Sequence, residues 1–564
     1  MPYVYHTIIH HNWHDNMLVP VDKNKNRQEE GGEQKQKIKN NNINIQQQND
    51  KEDQHNEHNI DPKILKRIRL KPQTARELIR GIPDDHPTTL SNTFTAVMSG
   101  LICGVLAVTF NVVMALLTFD SVLQIAPIGV GCYHVTTIIA GLGALFFSSL
   151  PIAMGGPNIK HAILLSEIIS PIVCEIDPTI NICAIVATLG TGSSTGSGRR
   201  MLLAASSMNG GGNSTSTSSS GNIFSETLSY EHEVILATTL FAMLYTTLIF
   251  AISWWVIGTY KLTRMFQFLP SFVTSGFIGS CGYLIIVKAI YVSTNMHFSL
   301  QLTHPDVKHV IEGKFWYLLV PALLCGGIIF ASKLFKVVKV EYTIPLVLIV
   351  SMSLFFILIY TSGNTVETAR DHGWFYQQFP QTAFYSQWVG LNVLQIEYLL
   401  VFRQTFNILF IWVILTVDAL MQLVAIKREC NVPDMNFDNE FVLAGKYNLI
   451  NTIGIAAPGY TLLKFTWENY HFVHNIHDKL PGLVYVSFVG VSFFTGIPIV
   501  NVLPRFFLGA LVIYTGIGFL SKSLVKTYHQ VPMMEYCGIW AMVILTALVN
   551  ITISVIIGFV FASM

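Results

Sequence analysis

The amino-acid sequence predicts an all-α, polytopic membrane protein with about 14 transmembrane segments. Of its 564 residues, 51% are hydrophobic and only 12% are charged, and the mean hydropathy is +0.47. Soluble proteins carry about 25% charged residues, so much of the usual charge is missing. From Thr95 onward, apolar runs of membrane-spanning length follow one another, which is the pattern of a multi-pass membrane protein.

The spans follow in order along the chain. The final apolar run, 538–563, is long enough for a hairpin of two short helices. Two shorter runs, 153–172 and 454–466, are broken by Gly and Pro, and a weak helix at 441–453 precedes the second. The remaining clear runs are 96–118, 129–150, 234–258, 267–290, 316–332, 343–360, 404–425, 482–500 and 504–520.

The first 90 residues differ from the rest of the chain. Residues 21–59 consist largely of Asn, Gln, Lys, Glu and His, which predicts a disordered polar tail. The basic segment 62–80 before the first span is either a helix on the membrane surface or a solvated linker. We therefore divide the chain into a cytosolic tail, 1–90, and a transmembrane domain, 91–564.

Lys and Arg in alternate short connections predict that both termini are cytosolic. The long insert 173–232 then faces the outside or a lumen, and its Gly/Ser/Thr-rich centre predicts flexibility. Asn213 begins an Asn-Ser-Thr glycosylation sequon on that side. Cys174 and Cys183 lie in the same insert, where they are close enough in sequence to pair.

Composition and motifs exclude several classes of function. Lys+Arg 35 against Asp+Glu 34 gives a net charge of +1, which excludes nucleic-acid binding through overall positive charge. No nucleotide-binding or catalytic motif occurs in a plausible context, which predicts neither an enzyme nor an ATP-driven pump. His134 and His161 lack the spacing of metal ligands, so we expect no metal and no cofactor.

The two halves of the transmembrane domain resemble each other. The segment 110–119 has a counterpart at 406–418, and 268–285 has one at 502–520. The break at Gly155-Gly156-Pro157 corresponds to Ala457-Pro458-Gly459. Inverted repeats with broken helices are typical of secondary transporters, since a helix that starts inside the membrane exposes N–H groups that a ligand must satisfy. The repeat therefore predicts a ligand site at the two breaks.

These landmarks, AMGGPNIKHA at 153–162, AAPGYTLL at 456–463 and LPRFFLGALVIYTGIGFL at 503–520, resemble the sulfate permease (SulP) family of anion transporters. The resemblance covers about 90–564 and is strongest to microbial and fungal members. It implies a seven-plus-seven inverted repeat with core and gate subdomains, two broken half-helices and, in many members, a homodimer. Members usually continue into a cytoplasmic STAS domain, whereas this sequence stops at Met564, so we expect either that this domain is absent or that the sequence is a fragment.

Asp418 is the most informative single residue. It lies deep in the run 404–425, where a carboxylate costs about 2.5–3.5 kcal/mol on insertion scales. Asn407 and Gln422 share its helix face, which indicates a polar stripe. The resemblance implies that Asp418 and Gln422 bind a coupling ion, either a proton or Na⁺. The alternative is a structural carboxylate paired with a neighbouring helix.

The candidate substrate-binding residues lie at the breaks. Lys160 offers a positive charge, and its alternatives are a pair with Asp418 or a side chain that reaches the membrane boundary. Lys464 stands near the Arg of anion-carrying members, with extension to the cytosolic boundary as its alternative. The other candidates are Gly156, Pro157, Asn158, Gly459, Tyr460 and Thr461.

We therefore expect a secondary active transporter of a small inorganic anion, sulfate or a bicarbonate-like ion, that works by alternating access and is coupled to a proton or sodium gradient. One alternative is the same fold carrying an amino acid or a nucleobase, and another is an uncoupled anion channel. The expected partners are the anion, the lipid bilayer and a second copy of the chain. The plasma membrane and a vacuolar or other endomembrane are both compatible with the sequence.

Overall fold

The computed structural model describes residues 90–150, 152–177, 220–266, 271–294, 316–335, 340–430, 432, 435–472, 478–549 and 551–563. The predicted disordered tail, its basic segment and the glycosylation site Asn213 lie outside the described residues. Cys174 is disulfide-bonded, and Cys183 also lies outside them.

The described residues contain fourteen long helices, which agree with the predicted number of segments. The predicted hairpin near the C-terminus is confirmed as two helices, Met533–Leu548 and Ile551–Ser563. The fourteen helices are α1 (Leu90–Thr118), α2 (Ala126–Phe147), α3 (Ile159–Ile176), α4 (Ser220–Thr259), α5 (Ser271–Thr294), α6 (Trp316–Phe335), α7 (Val340–Thr361), α8 (Thr405–Glu429), α9 (Phe437–Ile453), α10 (Leu463–Phe472), α11 (Leu480–Thr495), α12 (Arg505–Leu520), α13 (Met533–Leu548) and α14 (Ile551–Ser563).

Shorter elements occur at the breaks and in the connections. Two three-residue strands, β1 (Gly155–Pro157) and β2 (Gly459–Thr461), precede α3 and α10. A π-helical segment, Ser521–Lys526, continues α12. The short α-helices are Thr263–Phe266, Val366–Asp371, Ser386–Gly390 and Tyr398–Arg403, and the 3₁₀ turns are Leu123–Ile125, Val393–Gln395, Ile499–Asn501 and Thr527–His529.

Length and hydropathy explain which helices cross the membrane. In the part of the chain that the structure describes, seven helices are by themselves long and apolar enough to span a bilayer, and three more are apolar but shorter. The helices α3 and α10 start at the strands and are not among these ten. On α7, large apolar side chains such as Ile349 and Leu358 are exposed, as expected for a helix whose outer face meets lipid.

The ends of the predicted flexible insert 173–232 differ from the expectation. The helix α3 continues through Pro171 to Ile176, because Ile172 and Val173 are buried and tertiary packing carries the helix onward. At the other end, α4 already begins at Ser220. Residues 178–219 of the insert lie outside the described residues.

The helices form two groups, each built from both halves of the chain. The first group, the core, contains α1–α4 and α8–α11, and the second group, the gate, contains α5–α7 and α12–α14. Equivalent pairs recur: α4 packs on α9 as α11 packs on α2, and α6 packs on α12 as α13 packs on α5. This pairing is the seven-plus-seven inverted repeat that the sequence predicts.

Candidate substrate site at the two broken helices

The two breaks meet inside the core. Strands β1 and β2 pair in antiparallel fashion, with Gly155 opposite Thr461, Gly156 opposite Tyr460 and Pro157 opposite Gly459. All six residues are buried. The structure therefore brings together the two Gly/Pro breaks, which lie some 300 positions apart in the numbering of the sequence.

Glycine is required because the strands lie directly against α2. A Cβ atom on Gly155 would lie 2.2 Å from the backbone oxygen of Ala140. A Cβ atom on Gly459 would lie 2.8 Å from the Cγ2 methyl of Thr136. Real Cβ contacts are longer, so a larger residue at either position would push the break away from α2.

Side chains cap both half-helices. The Asn158 side chain accepts a hydrogen bond from the backbone N–H of Lys160 at 3.0 Å, which is the N-cap arrangement for α3. At the start of α10, the backbone N–H of Leu463 donates to Oε1 of Gln422 at 3.3 Å. The two N-termini, with the positive ends of their dipoles, thus begin near the paired strands.

Asp418 lies at the centre of the hydrogen-bond network. Its Oδ1 atom forms an ion pair with the Lys160 ammonium, and the two side chains are only 4% and 5% exposed. Its Oδ2 atom accepts hydrogen bonds from Nε2 of Gln422 and from the hydroxyl of Tyr460, each at 2.9 Å. Of the alternatives for Lys160, the structure shows the pair with Asp418, which ties the two repeats together.

Lys464 does not extend to the membrane boundary, so that alternative is wrong. Its Nζ atom is buried and lies 4.5 Å from the ring centroid of Phe110 and 5.4 Å from that of Tyr514. These distances are typical of cation–π interactions. Glu468, one helical turn later on α10, is also buried.

The ionisable groups around the breaks carry both signs of charge. Two ammonium groups, those of Lys160 and Lys464, accompany two carboxylates, those of Asp418 and Glu468. The Lys160 ammonium also lies 4.7 Å from the ring centroid of Phe519 on the gate. Lys522 also interacts electrostatically with Lys160 and Asp418, so the site has mixed charge, whereas an inorganic anion favours a site without carboxylates.

Asn407 shares the helix face of Asp418 but lies outside the site, and two residues of the site were not predicted from the sequence. Asn407 bonds to Gln404 within its own helix region, at 2.7 Å, and does not join the site. Asn448 was missed: its Nδ2 donates to the carbonyl of Gly459, and its Oδ1 accepts from the N–H of the same residue, each at 2.8 Å. Tyr485 was also missed, and its hydroxyl donates to the carbonyl of Gly155 at 3.0 Å. The sequence signal that could have revealed both residues is a polar side chain within an apolar helix, because such a group needs a hydrogen-bond partner when it is buried.

His161 packs among aromatic rings beside the site. The ring centroids of Phe250, Trp254 and Tyr460 lie 5.5, 6.5 and 5.2 Å from that of His161. Within the described residues, no three His, Cys, Asp or Glu side chains are arranged to hold a metal ion. The arrangement is that of a binding site made from backbone, hydroxyl, amide and charged groups.

Comparison with known proteins identifies the family. Residues 94–543 match the sulfate permease family. The chain belongs to the sulfate permease family. The resemblance seen in the sequence is confirmed, and the chain is a multi-pass membrane protein of a family whose members are transporters and not enzymes.

A fungal transporter is similar in sequence to this chain. The chain is 23% identical over 352 residues to the vacuolar basic amino acid transporter VSB1 of Saccharomyces cerevisiae, a match that covers 60% of this chain. It covers 32% of VSB1, so the chain spans about a third of the length of that curated relative.

The solved structures share the fold. The transmembrane domain of a cyanobacterium bicarbonate transporter, BicA, has a TM-score of 0.51 at 17% identity, covering 82% of this chain and 98% of BicA. The murine Solute Carrier 26 family member A9 anion transporter, in the inward-facing state, has a TM-score of 0.50 at 14% identity, covering 83% of this chain and 67% of that one. These similarities confirm the predicted fold class.

Proposed function

We propose that this protein is a secondary active transporter of an amino acid with a cationic side chain, which it carries by alternating access. The observation that supports this proposal is the pair of Lys160 and Asp418, buried beside the two half-helix N-termini. An amino acid, which the sequence left as an alternative substrate, is therefore the first candidate in place of the inorganic anion.

Each part of a basic amino acid has a chemical counterpart at the site. The substrate carboxylate fits the half-helix N-termini, where backbone N–H groups and the dipole favour an anion. The cationic side chain fits Asp418, because the ammonium of Lys160 that now binds there is the same chemical group as the end of a lysine substrate. A substrate cation therefore competes with Lys160 for Asp418, while an inorganic anion finds Lys160 already neutralised.

The similarity to VSB1 supports the same proposal. That relative is named as a vacuolar transporter of basic amino acids, although it is only 23% identical and much longer. By analogy we propose a vacuolar or related endomembrane location for this protein. A homodimer and cytosolic termini stay predictions.

A small inorganic anion, such as sulfate or bicarbonate, is the second candidate. The observation that favours it is the buried ammonium of Lys464 near the start of α10, together with the two N-termini. The fold similarity to a protein named as a bicarbonate transporter agrees with this candidate. Glu468 weakens it, because a buried carboxylate on the same helix opposes anion binding.

Coupling to a proton or sodium gradient belongs to the proposal as well. When Lys160 is displaced and no substrate cation is bound, Asp418 is left as a carboxylate with Gln422 and Tyr460 as its remaining donors. A buried carboxylate in that situation binds a cation, so we propose that it takes up the coupling ion at this step.

Uptake by proteoliposomes tests the proposal. Labelled arginine, sulfate and bicarbonate are compared with and without proton or sodium gradients, which are applied inward in one series and outward in another. We expect gradient-stimulated arginine uptake that lysine inhibits and norleucine does not, since norleucine lacks only the terminal ammonium. Stimulated sulfate or bicarbonate uptake without arginine uptake would replace this function by the second candidate. An ionic current that no counter-ion gradient affects would instead indicate a channel.

A further inference from the structure

A second buried ion pair joins the core to the gate. Asp120, which follows the last residues of α1 in the core, pairs with Lys288 on α5 in the gate. The Asp120 side chain is 1% exposed and that of Lys288 is 15% exposed. One turn further along α5, the hydroxyl of Tyr291 donates to the backbone carbonyl of Asp120 at 2.9 Å. Two neighbouring groups of one gate helix therefore hold the same core residue.

The pair resists separation because Asp120 has few other donors. In the part of the chain that the structure describes, the Oδ1 atom of Asp120 is buried and has no hydrogen-bond partner. The ammonium of Lys288 on Oδ2 therefore supplies most of the compensation for burying this carboxylate. Core and gate cannot slide past each other here unless Lys288 leaves Asp120 or both residues find new partners.

A second carboxylate of the core lies near the same lysine, although the two do not form an ion pair in the conformation described here. Glu167, on α3, interacts electrostatically with both Lys288 and Asp120, and its side chain is exposed. The hydroxyls of Ser121 and Ser170 lie 3.2 Å apart, so Ser170 marks the level of Asp120 on α3. Glu167 precedes Ser170 by three residues and lies about 4.5 Å nearer to the break at which α3 begins.

The positions of Asp120 and Glu167 along the axis of α3 determine which movement of the core exchanges one carboxylate for the other at Lys288. Both carboxylates belong to the core, and Lys288 belongs to the gate. If the core moves along the gate toward the end at which α1 terminates, Asp120 moves beyond Lys288 and Glu167 arrives at its level. Movement of one repeat-built group against the other is how transporters of this architecture alternate access.

We propose that Lys288 is a latch that changes partner during transport, binding Asp120 in the conformation described here and Glu167 after the core has moved. The latch keeps the pathway closed at the end of the protein where α1 terminates. The hand-over keeps the lysine charge compensated in both conformations. This inference does not depend on which substrate the protein carries.

Disulfide trapping tests the latch without a transport assay. In a background where the exposed Cys537 is replaced by serine, two double variants are made, Asp120→Cys with Lys288→Cys and Glu167→Cys with Lys288→Cys. Both are reconstituted in liposomes and treated with a mild oxidant. We expect both pairs to form disulfides, because each reports one of the two conformations. If the Asp120 pair forms and the Glu167 pair does not, the exchange of partners is wrong.

Transport by the cross-linked variants gives a second test of the latch. A third variant, Glu175→Cys with Arg403→Cys, replaces an exposed ion pair between α3 and the short helix before α8, both in the core. Transport is measured with whichever substrate the proteoliposome assay identifies. In the first two variants, oxidation should reduce the transport rate at least tenfold, and reduction of the disulfide should restore it. The control pair should transport equally well when oxidised. Full transport by the oxidised Asp120–Lys288 pair would show that these residues never separate and would overturn the latch.

Discussion

The buried pair of Lys160 and Asp418 can be dissected by a double-mutant cycle. Lys160→Met leaves the Asp418 carboxylate with only the neutral donors of Gln422 and Tyr460. Asp418→Asn leaves the ammonium of Lys160 without its counter-charge. Both side chains are at most 5% exposed, so solvent cannot compensate either charge. Each single substitution should therefore cost about 3–5 kcal/mol of stability.

The double variant carries the decisive information. Replacing both members removes both buried charges and keeps most of the side-chain volume, which is often nearly neutral for stability. We expect it to recover at least about 3 kcal/mol relative to the worse single variant. The exposed pair of Glu175 and Arg403 serves as the control, where Glu175→Gln should cost about 0–1 kcal/mol.

The assay is thermal unfolding of purified protein in detergent, followed by tryptophan fluorescence. The order of midpoints should be wild type and the Glu175 variant highest, the double variant slightly lower and the two single variants lowest. A double variant that is as unstable as the sum of the two single variants would refute the reasoning, because Lys160 and Asp418 would then act independently. All four variants should still reach the membrane, since no substitution adds a charge to a long apolar helix.

Further predictions concern the neighbours of the pair. Tyr460→Phe removes one charge-assisted hydrogen bond to Asp418 and keeps the ring packing, so transport should fall about tenfold at a cost of about 1.5–3 kcal/mol, measured as initial uptake and unfolding midpoint. Gln422→Glu can still accept at the start of α10 but repels Asp418, so uptake should fall further than in Gln422→Ala. Gly155→Ala should reduce the yield of folded protein in size-exclusion chromatography, because its Cβ would lie 2.2 Å from a backbone oxygen, whereas Gly490→Ala meets nothing within 4 Å and should behave like wild type.

Much of the fold follows from local features of the sequence. Span length, Gly/Pro breaks and the internal repeat are each visible in short windows, and the fourteen helices and the paired breaks agree with them. The final run, 538–563, divides into two helices, and α13 ends at Leu548 because the backbone of Val549 leaves the helical conformation (φ −122°, ψ −88°).

Charge pairing was harder to predict because it is tertiary. Lys160 and Asp418 are 258 residues apart, and the sequence alone left their pairing as one of several alternatives. Asn407 illustrates the limit of helical periodicity. It shares the face of Asp418, but eleven residues place it about 16 Å away along the helix axis, too far to join the same site.

The direction of a long side chain is also decided by its surroundings. Lys464 had two alternatives, substrate contact and the membrane boundary, because its four-carbon stem reaches either. The rings of Phe110 and Tyr514, from α1 and α12, hold the ammonium inside the protein. Neither ring is near Lys464 in sequence, so helical periodicity could not show that its ammonium lies inside the protein.

Exchange of labelled arginine in proteoliposomes, with unlabelled arginine inside and no ion gradient, tests the central claim most directly. Exchange needs the substrate site and the movement of the core but no coupling ion. Wild-type protein should exchange arginine, and the double variant Lys160→Met with Asp418→Asn, which the stability assay shows to be folded, should not. Arginine exchange by that double variant at the wild-type rate would contradict the claim that the cationic substrate replaces Lys160 at Asp418.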